Sequence, residues 1–257
     1  MYSLILVSLV VSGSPSSEAT LTESRMISVG GGLLSAHQVD RGYSPLIFSG
    51  RQGSANATYS KLRGHRERVW ALEYSSGTLQ NRHGRNLECW SLSWLGLFLY
   101  QPHEESPFSW GWSNSNNINR RTIDDFLNYT GRTDYFTSFG PAAKYSLSFG
   151  FGKHELTFQV LGHLQLLGFY IPSSHVSSMP RGFGYEQNGF GNAVLNSAFL
   201  FHPGSAINFG LRPGLKLKLG ENNSVGLSYL YDYSSLSHVH SSQRSRGSLG
   251  LSLTMGI

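Results

Sequence analysis

Near the end of the chain, apolar and polar side chains alternate with a period of two. Ile207, Phe209, Leu211, Pro213, Leu215, Leu217 and Leu219 take the odd positions, and Asn208, Gly210, Arg212, Gly214, Lys216 and Lys218 the even ones. Val225, Leu227, Tyr229, Tyr231 and Tyr233 alternate with Ser224, Gly226, Ser228 and Asp232, with Leu230 the one exception. Leu249, Leu251, Leu253, Met255 and Ile257 then alternate with Ser248, Gly250, Ser252, Thr254 and Gly256. Successive side chains of a strand point to opposite faces, so each segment reads as a strand with one greasy face and one polar or tiny face.

The turns between such segments allow the pairing to be written down. A two-residue Gly152-Lys153 turn aligns Phe149 with Leu156 and Leu147 with Phe158, apolar against apolar. A three-residue Glu221-Asn222-Asn223 loop places Gly220 against Ser224, Leu217 against Leu227, Leu215 against Tyr229, and Arg212 against Asp232. Earlier strands are predicted over 69–79, 87–100 and 108–116, with weaker ones over 27–37 and 52–62; the polar stretches 117–134 and 172–191 read as surface loops. The strands drawn in this way come to an odd number, which a barrel with both ends on one side does not allow. Twelve strands is the preferred count and ten the alternative, with the missing crossing placed between His154 and His202, where short and long connections stop alternating.

Composition decides which way the greasy face points. Only 14% of residues are charged although 39% are hydrophobic, so Ser, Gly, Asn and Thr fill the polar positions. A soluble β-sandwich or lipocalin-like barrel would present Lys, Glu and Asp on its outer face. Here the polar face of the last strand is Ser, Gly and Thr, which suits a narrow lumen. Beyond the first residues no apolar run approaches the roughly 20 residues of a membrane helix, whereas a barrel strand needs only about 9–11. Trp90, Trp94, Tyr100, Trp110, Trp112, Tyr170 and the Tyr229, Tyr231, Tyr233 ladder would suit the two aromatic girdles of such a barrel. The fold class expected is therefore all-β, an antiparallel transmembrane up-and-down barrel.

Residues 1–11, MYSLILVSLVV, followed by a small-residue stretch to Ala19, read as a secretory signal, leaving 20–257 as one barrel domain. No Lys or Arg precedes the apolar run, a departure from the usual signal pattern. The net charge of +5 comes from scattered Lys and Arg, with no basic helix or aromatic-basic module, so nucleic acid is not an expected partner. Cys89 is the only cysteine, which excludes an intrachain disulfide and a cysteine-rich metal site.

Phe199-Leu200-Phe201-His202-Pro203, the two strands after it and the closing segment 248–257 resemble a group of uncharacterised Gram-negative outer-membrane barrels classed as a domain of unknown function. Ser44-Pro45-Leu46-Ile47-Phe48-Ser49-Gly50 and Trp112-Ser113-Asn114-Ser115-Asn116-Asn117 are similar to that group as well. Ile257 departs from the aromatic last residue usual in outer-membrane proteins. The resemblance implies a barrel in the bacterial outer membrane. Its partners would be outer-membrane lipid and lipopolysaccharide, the barrel-assembly machinery during insertion, and an envelope protein as a further candidate. It brings no catalytic residues, and no cofactor or metal is expected.

Candidate chemistry is sparse. His175/Ser177 and His240/Ser242 have the two-residue spacing of a base and nucleophile on one strand face, but a chain this rich in Ser produces about one or two such pairs by chance. Asp124-Asp125 reads as a loop turn, and His103-Glu104-Glu105 lacks the second His of a zinc-protease motif. The residues expected to line a lumen are Lys144, Glu155, Gln159, His163, Gln165, Arg212, Lys216, Lys218 and Asp232. Three functions compete: a non-enzymatic envelope or docking barrel, a porin-like narrow pore or carrier for small anionic or polar solutes, and a lipid hydrolase using a His/Ser pair.

Overall fold

The computed structural model describes residues 23–40, 44–103, 106–123, 131–171, 198–220, 222–237 and 242–257. The expected signal at 1–19, the 172–191 loop and the His175/Ser177 pair lie outside them, as do His240 and Asp124-Asp125. The strands are β1 (Glu23–Asp40), β2 (Ser44–Arg63), β3 (Arg66–Gln80), β4 (Asn86–Tyr100), β5 (Phe108–Thr122), β6 (Arg132–Phe151), β7 (His154–Gln165), β8 (Leu167–Ile171), β9 (Phe199–Phe201), β10 (Ala206–Lys218), β11 (Asn223–Leu236) and β12 (Ser242–Gly256). All pairings are antiparallel. β1 pairs with β12 from Met26↔Gly256 to Asp40↔Ser242, and β5 pairs with β6, so the sheet closes on itself.

Ten staves make the closed wall, and the two additional strands come from interruptions in two of them. β7 and β8 lie end to end along β6, separated by Leu166, whose N–H donates to the Phe139 carbonyl at 2.8 Å. This is one extra residue inserted against a continuous partner, a β-bulge. β9 and β10 are separated by a turn in which the Ser205 and Ala206 N–H groups donate to the His202 carbonyl at 2.8 and 2.9 Å. Both breaks fall in the region where short and long connections stop alternating, so twelve segments and ten staves describe the same barrel.

Starting at Glu23 of β1 and following register partners through Arg66, Trp110, Leu211 and Gly247, one circuit of the wall returns to β1 at Ser35, twelve residues further along. Ten strands with that stagger are tilted by roughly 40°. The apolar face points outward all the way round. Leu33 is 68% exposed, Leu251 63% and Trp112 63%, and Leu72, Phe98, Leu147, Leu211 and Leu227 continue the same belt. An apolar belt around a whole barrel is a lipid-facing surface, since a soluble protein rarely exposes more than a few hundred Å² of contiguous apolar area.

The aromatic positions divide between the faces. Tyr59 stacks on Trp70 with ring centroids 5.6 Å apart, and Tyr100 meets Trp110 edge-on at 6.4 Å; with Phe98 and Trp112 they cluster near the short-turn end. Tyr170 belongs to no girdle. It points inward against Phe136 and Phe201. Leu230, the break in the alternation of β11, is an inward side chain, buried in the lumen.

The Gly152-Lys153 hairpin has the expected register, with Phe149↔Leu156 and Leu147↔Phe158, and Gly152 takes the left-handed conformation (φ +61°) that a tight two-residue turn requires. The other hairpin corrects the expectation. The Leu219 N–H donates to the Asn223 carbonyl at 2.9 Å, so the loop begins one residue earlier, and Leu217 faces Val225, Leu215 faces Leu227 and Gly210, not Arg212, faces Asp232. The shift is two residues, so every side chain keeps its face and the hydrophobic pattern alone does not distinguish the two registers. The 117–134 stretch is a correction as well: β5 continues to Thr122 and β6 begins at Arg132, because Asn117, Asn119 and Arg121 point into the polar lumen, where an apolar-face test does not detect a strand.

In a Cys89→Ser background, Leu215→Cys with Leu227→Cys should crosslink on oxidation while Leu215→Cys with Tyr229→Cys should not, read by non-reducing gels. Leu251→Arg, in the middle of the outer belt, should cost about 2–4 kcal/mol of folding free energy in lipid vesicles, measured by denaturant titration. Efficient folding of this variant without loss would place the belt elsewhere.

Candidate functional site

The lumen is built from the positions opposite the greasy belt. From the short-turn end upward it forms a charged mouth, an apolar layer, and an arginine-rich upper chamber. At the mouth, Lys144 Nζ donates to both carboxylate oxygens of Glu67 at 2.8 and 2.7 Å. Lys218 lies 3.5 Å from Glu155, with both side chains about half exposed, and these residues line a cavity of about 500 Å³ together with Lys216 and Gln159. Next come Val69, Leu95, Leu97, Leu99 and Leu161, which pack with Ala142 across the barrel.

Above this layer Glu73 is the hub. It stands 3.5 Å from Arg212 Nη2 and 3.8 Å from Arg246 Nη1, and Arg246 Nη2 donates to Asp232 at 2.8 Å. β3, β10, β11 and β12 are thereby tied together through the lumen. Higher still, Asp134 is shared by Arg121 and Arg132, all three buried. A cavity of about 120 Å³ lies among Arg121, Arg212, Arg244, Arg246, Asn117 and His163, and one of about 150 Å³ lies below it.

The nine lumen candidates all lie on the inward face, in three separate places. Lys144, Glu155, Gln159, Lys216 and Lys218 gather at the mouth. His163, Arg212 and Asp232 line the upper cavity. His163 covers Gly210 so closely that a Cβ there would run into its ring, which explains why a glycine faces Asp232. Gln165 is fully buried and lines none of the three cavities described above; its Nε2 donates to Ser113 Oγ at 2.8 Å, and that hydroxyl donates to the Gly140 carbonyl at 3.0 Å. It spans from β7 across β6 to β5 as a wall brace.

Sequence reasoning missed Glu67, Glu73, Asp134 and, of the upper-chamber arginines, all but Arg212. Parity carries the signal for most of them: Glu67 and Glu73 alternate with outward Trp70, Leu72 and Tyr74, and Arg244 and Arg246 continue the inward series that Ser248, Gly250 and Ser252 begin. Among the described residues, no cluster of His, Cys, Asp and Glu is arranged to hold a metal ion.

No family model and no curated protein matches the chain. Among solved structures, the outer membrane protease OmpT from Escherichia coli superposes with a TM-score of 0.55 at 8% identity, covering 93% of this chain and 99% of its own. Neisserial surface protein A gives 0.38 at 11% identity, with 89% and 96% covered. The translocator domain of the autotransporter NalP from Neisseria meningitidis gives 0.40 at 10%, with 91% and 90% covered. This chain has the fold of outer-membrane β-barrels. At 8% identity the OmpT likeness is one of architecture and carries no residue roles.

Removing the Glu73 carboxylate should leave two guanidinium groups facing each other in the lumen. Glu73→Ala is expected to cost about 3 kcal/mol of stability by urea titration in detergent. Lys218→Ala at the exposed mouth should cost less than about 1 kcal/mol. Equal losses at the two sites would mean that the upper chamber is hydrated like the mouth.

Proposed function

We propose that the chain resides in the bacterial outer membrane as a non-enzymatic barrel with a closed lumen, serving envelope structure or docking a partner at its long-loop end. One observation carries this reading. The upper cavity and the one beneath it share Ala71, Leu95, Leu161 and Leu230 as their common boundary, with Glu73 and Arg212 beside them. Apolar side chains and cross-barrel ion pairs occupy the place where a conducting pathway would have to pass. Strands of up to 20 residues, against the roughly 9–11 that span a bilayer, carry the wall beyond the membrane. The partners consistent with this reading are outer-membrane lipid and lipopolysaccharide around the belt, the assembly machinery during insertion, and an envelope protein at the loops.

A second reading, a narrow path for small anions, draws on the cationic lining at the two ends. Lys144, Lys216 and Lys218 stand at the mouth, and Lys144 and Lys216 also line the cavity of about 150 Å³ that Arg212 reaches from above. The lipid-hydrolase reading gains no support from geometry, because one His/Ser pair and the histidine of the other lie outside the described residues. OmpT's protease activity is not carried over either, since a shared fold does not bring a shared site.

Outer-membrane fractionation with heat-modifiable gel mobility tests the location. In planar bilayers the wild type should give no steady conductance, and Leu95→Gly with Leu161→Gly should open one. Steady anion-selective steps from the wild type that weaken in Lys216→Glu would replace the first reading by the second.

A further inference from the structure

In the upper chamber, Arg121, Arg132, Arg212 and Arg246 each stand against a carboxylate. Glu73 serves Arg212 and Arg246, Asp232 serves Arg246, and Asp134 serves Arg121 and Arg132. Among the described residues, the acceptors of Arg244 are neutral: the Asn119 side-chain carbonyl and Ser91 Oγ, the latter at 3.1 Å.

The arrangement around Ser91 is specific. Arg244 Nη2 and Arg246 Nη1 both donate to this one hydroxyl, at 3.1 and 3.3 Å, while Ser91 Oγ is also within 2.8 Å of Ser75 Oγ. Two like charges therefore converge on a single neutral oxygen inside a protein wall, where their repulsion is poorly screened and a lone charge is costly. β12 brings them there, two residues apart on the inward face, and Arg121 adds a third guanidinium to the same cavity. The cavity they line, about 120 Å³, is several times the roughly 10–15 Å³ that one water needs, enough for an ion of four or five heavy atoms. Guanidinium forks match the paired oxygens of phosphate, sulfate and carboxylate.

The geometry points to a binding site for one small oxyanion in the upper chamber, held by Arg244 and Arg246 with Arg121 beside them. The anion sits between the converging guanidiniums and supplies the counter-charge that Arg244 lacks. The site does not depend on conduction, because a closed lumen can hold a bound ion.

Inorganic phosphate is the probe, titrated into the full-length refolded protein in detergent at constant ionic strength against sodium chloride, with thermal stability and binding heat as readouts. A saturable phosphate-specific rise in Tm is expected for the wild type, with affinity at least about tenfold weaker in Arg244→Gln. Arg244→Lys, which keeps the charge but loses the planar fork, should fall between the two and carries the test if Arg244→Gln does not refold. Lys218→Gln at the opposite mouth should leave the phosphate response unchanged. Lipopolysaccharide in place of phosphate should act equally on wild type and Arg244→Gln, since its acyl chains meet the outer belt and its phosphates the polar rim above it, not the lumen. No phosphate-specific response in the wild type, or one that survives both Arg244 substitutions, would overturn the site.

Discussion

Backbone hydrogen bonding without water is the constraint from which the rest of this structure follows. Inside hydrocarbon an unpaired N–H or C=O costs several kcal/mol, so a sheet can cross only if its first and last strands join. Here β1 and β12 meet along almost their whole length, from Met26↔Gly256 onward. The stagger of that closure sets the tilt, and tilt together with strand number sets the radius. A ten-stave barrel of this stagger is narrow enough for side chains from opposite walls to touch, and Lys144 reaches Glu67, and Arg212 reaches Glu73, across it.

Narrowness turns the lumen into an interior. In a wide pore, charged side chains keep their water and neighbouring pairs contribute little. In this lumen Glu73, Arg246 and Asp134 are largely stripped of water, so each charge needs a partner and the partners lie on other strands. The ion pairs that follow brace the wall from within, as Gln165 does by spanning β6 to reach Ser113. The same stripping makes the pairing of Arg244 with neutral oxygens significant, because a charge without a counter-ion is tolerable at the mouth and expensive in the chamber.

The apolar layer and the bulge at Leu166 show how local irregularities shape the lumen. Leu230 breaks the alternation of β11 and fills space beside Leu95 and Leu161, separating the upper and lower cavities. The inserted residue between β7 and β8 lets Phe136, Tyr170 and Phe201 pack inward as a second apolar cluster toward the long-loop end. The barrel is therefore polar in the middle of each chamber and apolar at the partitions between them.

The sequence by itself determined the fold class, the greasy outer face and the Gly152-Lys153 hairpin with its register, because a period of two assigns a side to each residue wherever a strand forms. It did not determine the Leu219/Asn223 register, since a shift of two residues leaves every side unchanged. Strand ends at 117–122 and 132–134 were hidden because inward polar residues look like loop residues when read one strand at a time. Only the tertiary structure decided that Glu73 meets Arg212 and Arg246, that Arg244 and Arg246 converge on Ser91, and that Gln165 braces a wall while His163 lines a cavity. Those contacts join residues separated by as many as 155 positions in the chain, and the stagger of the closed sheet, to which every hairpin contributes, brings them to the same height.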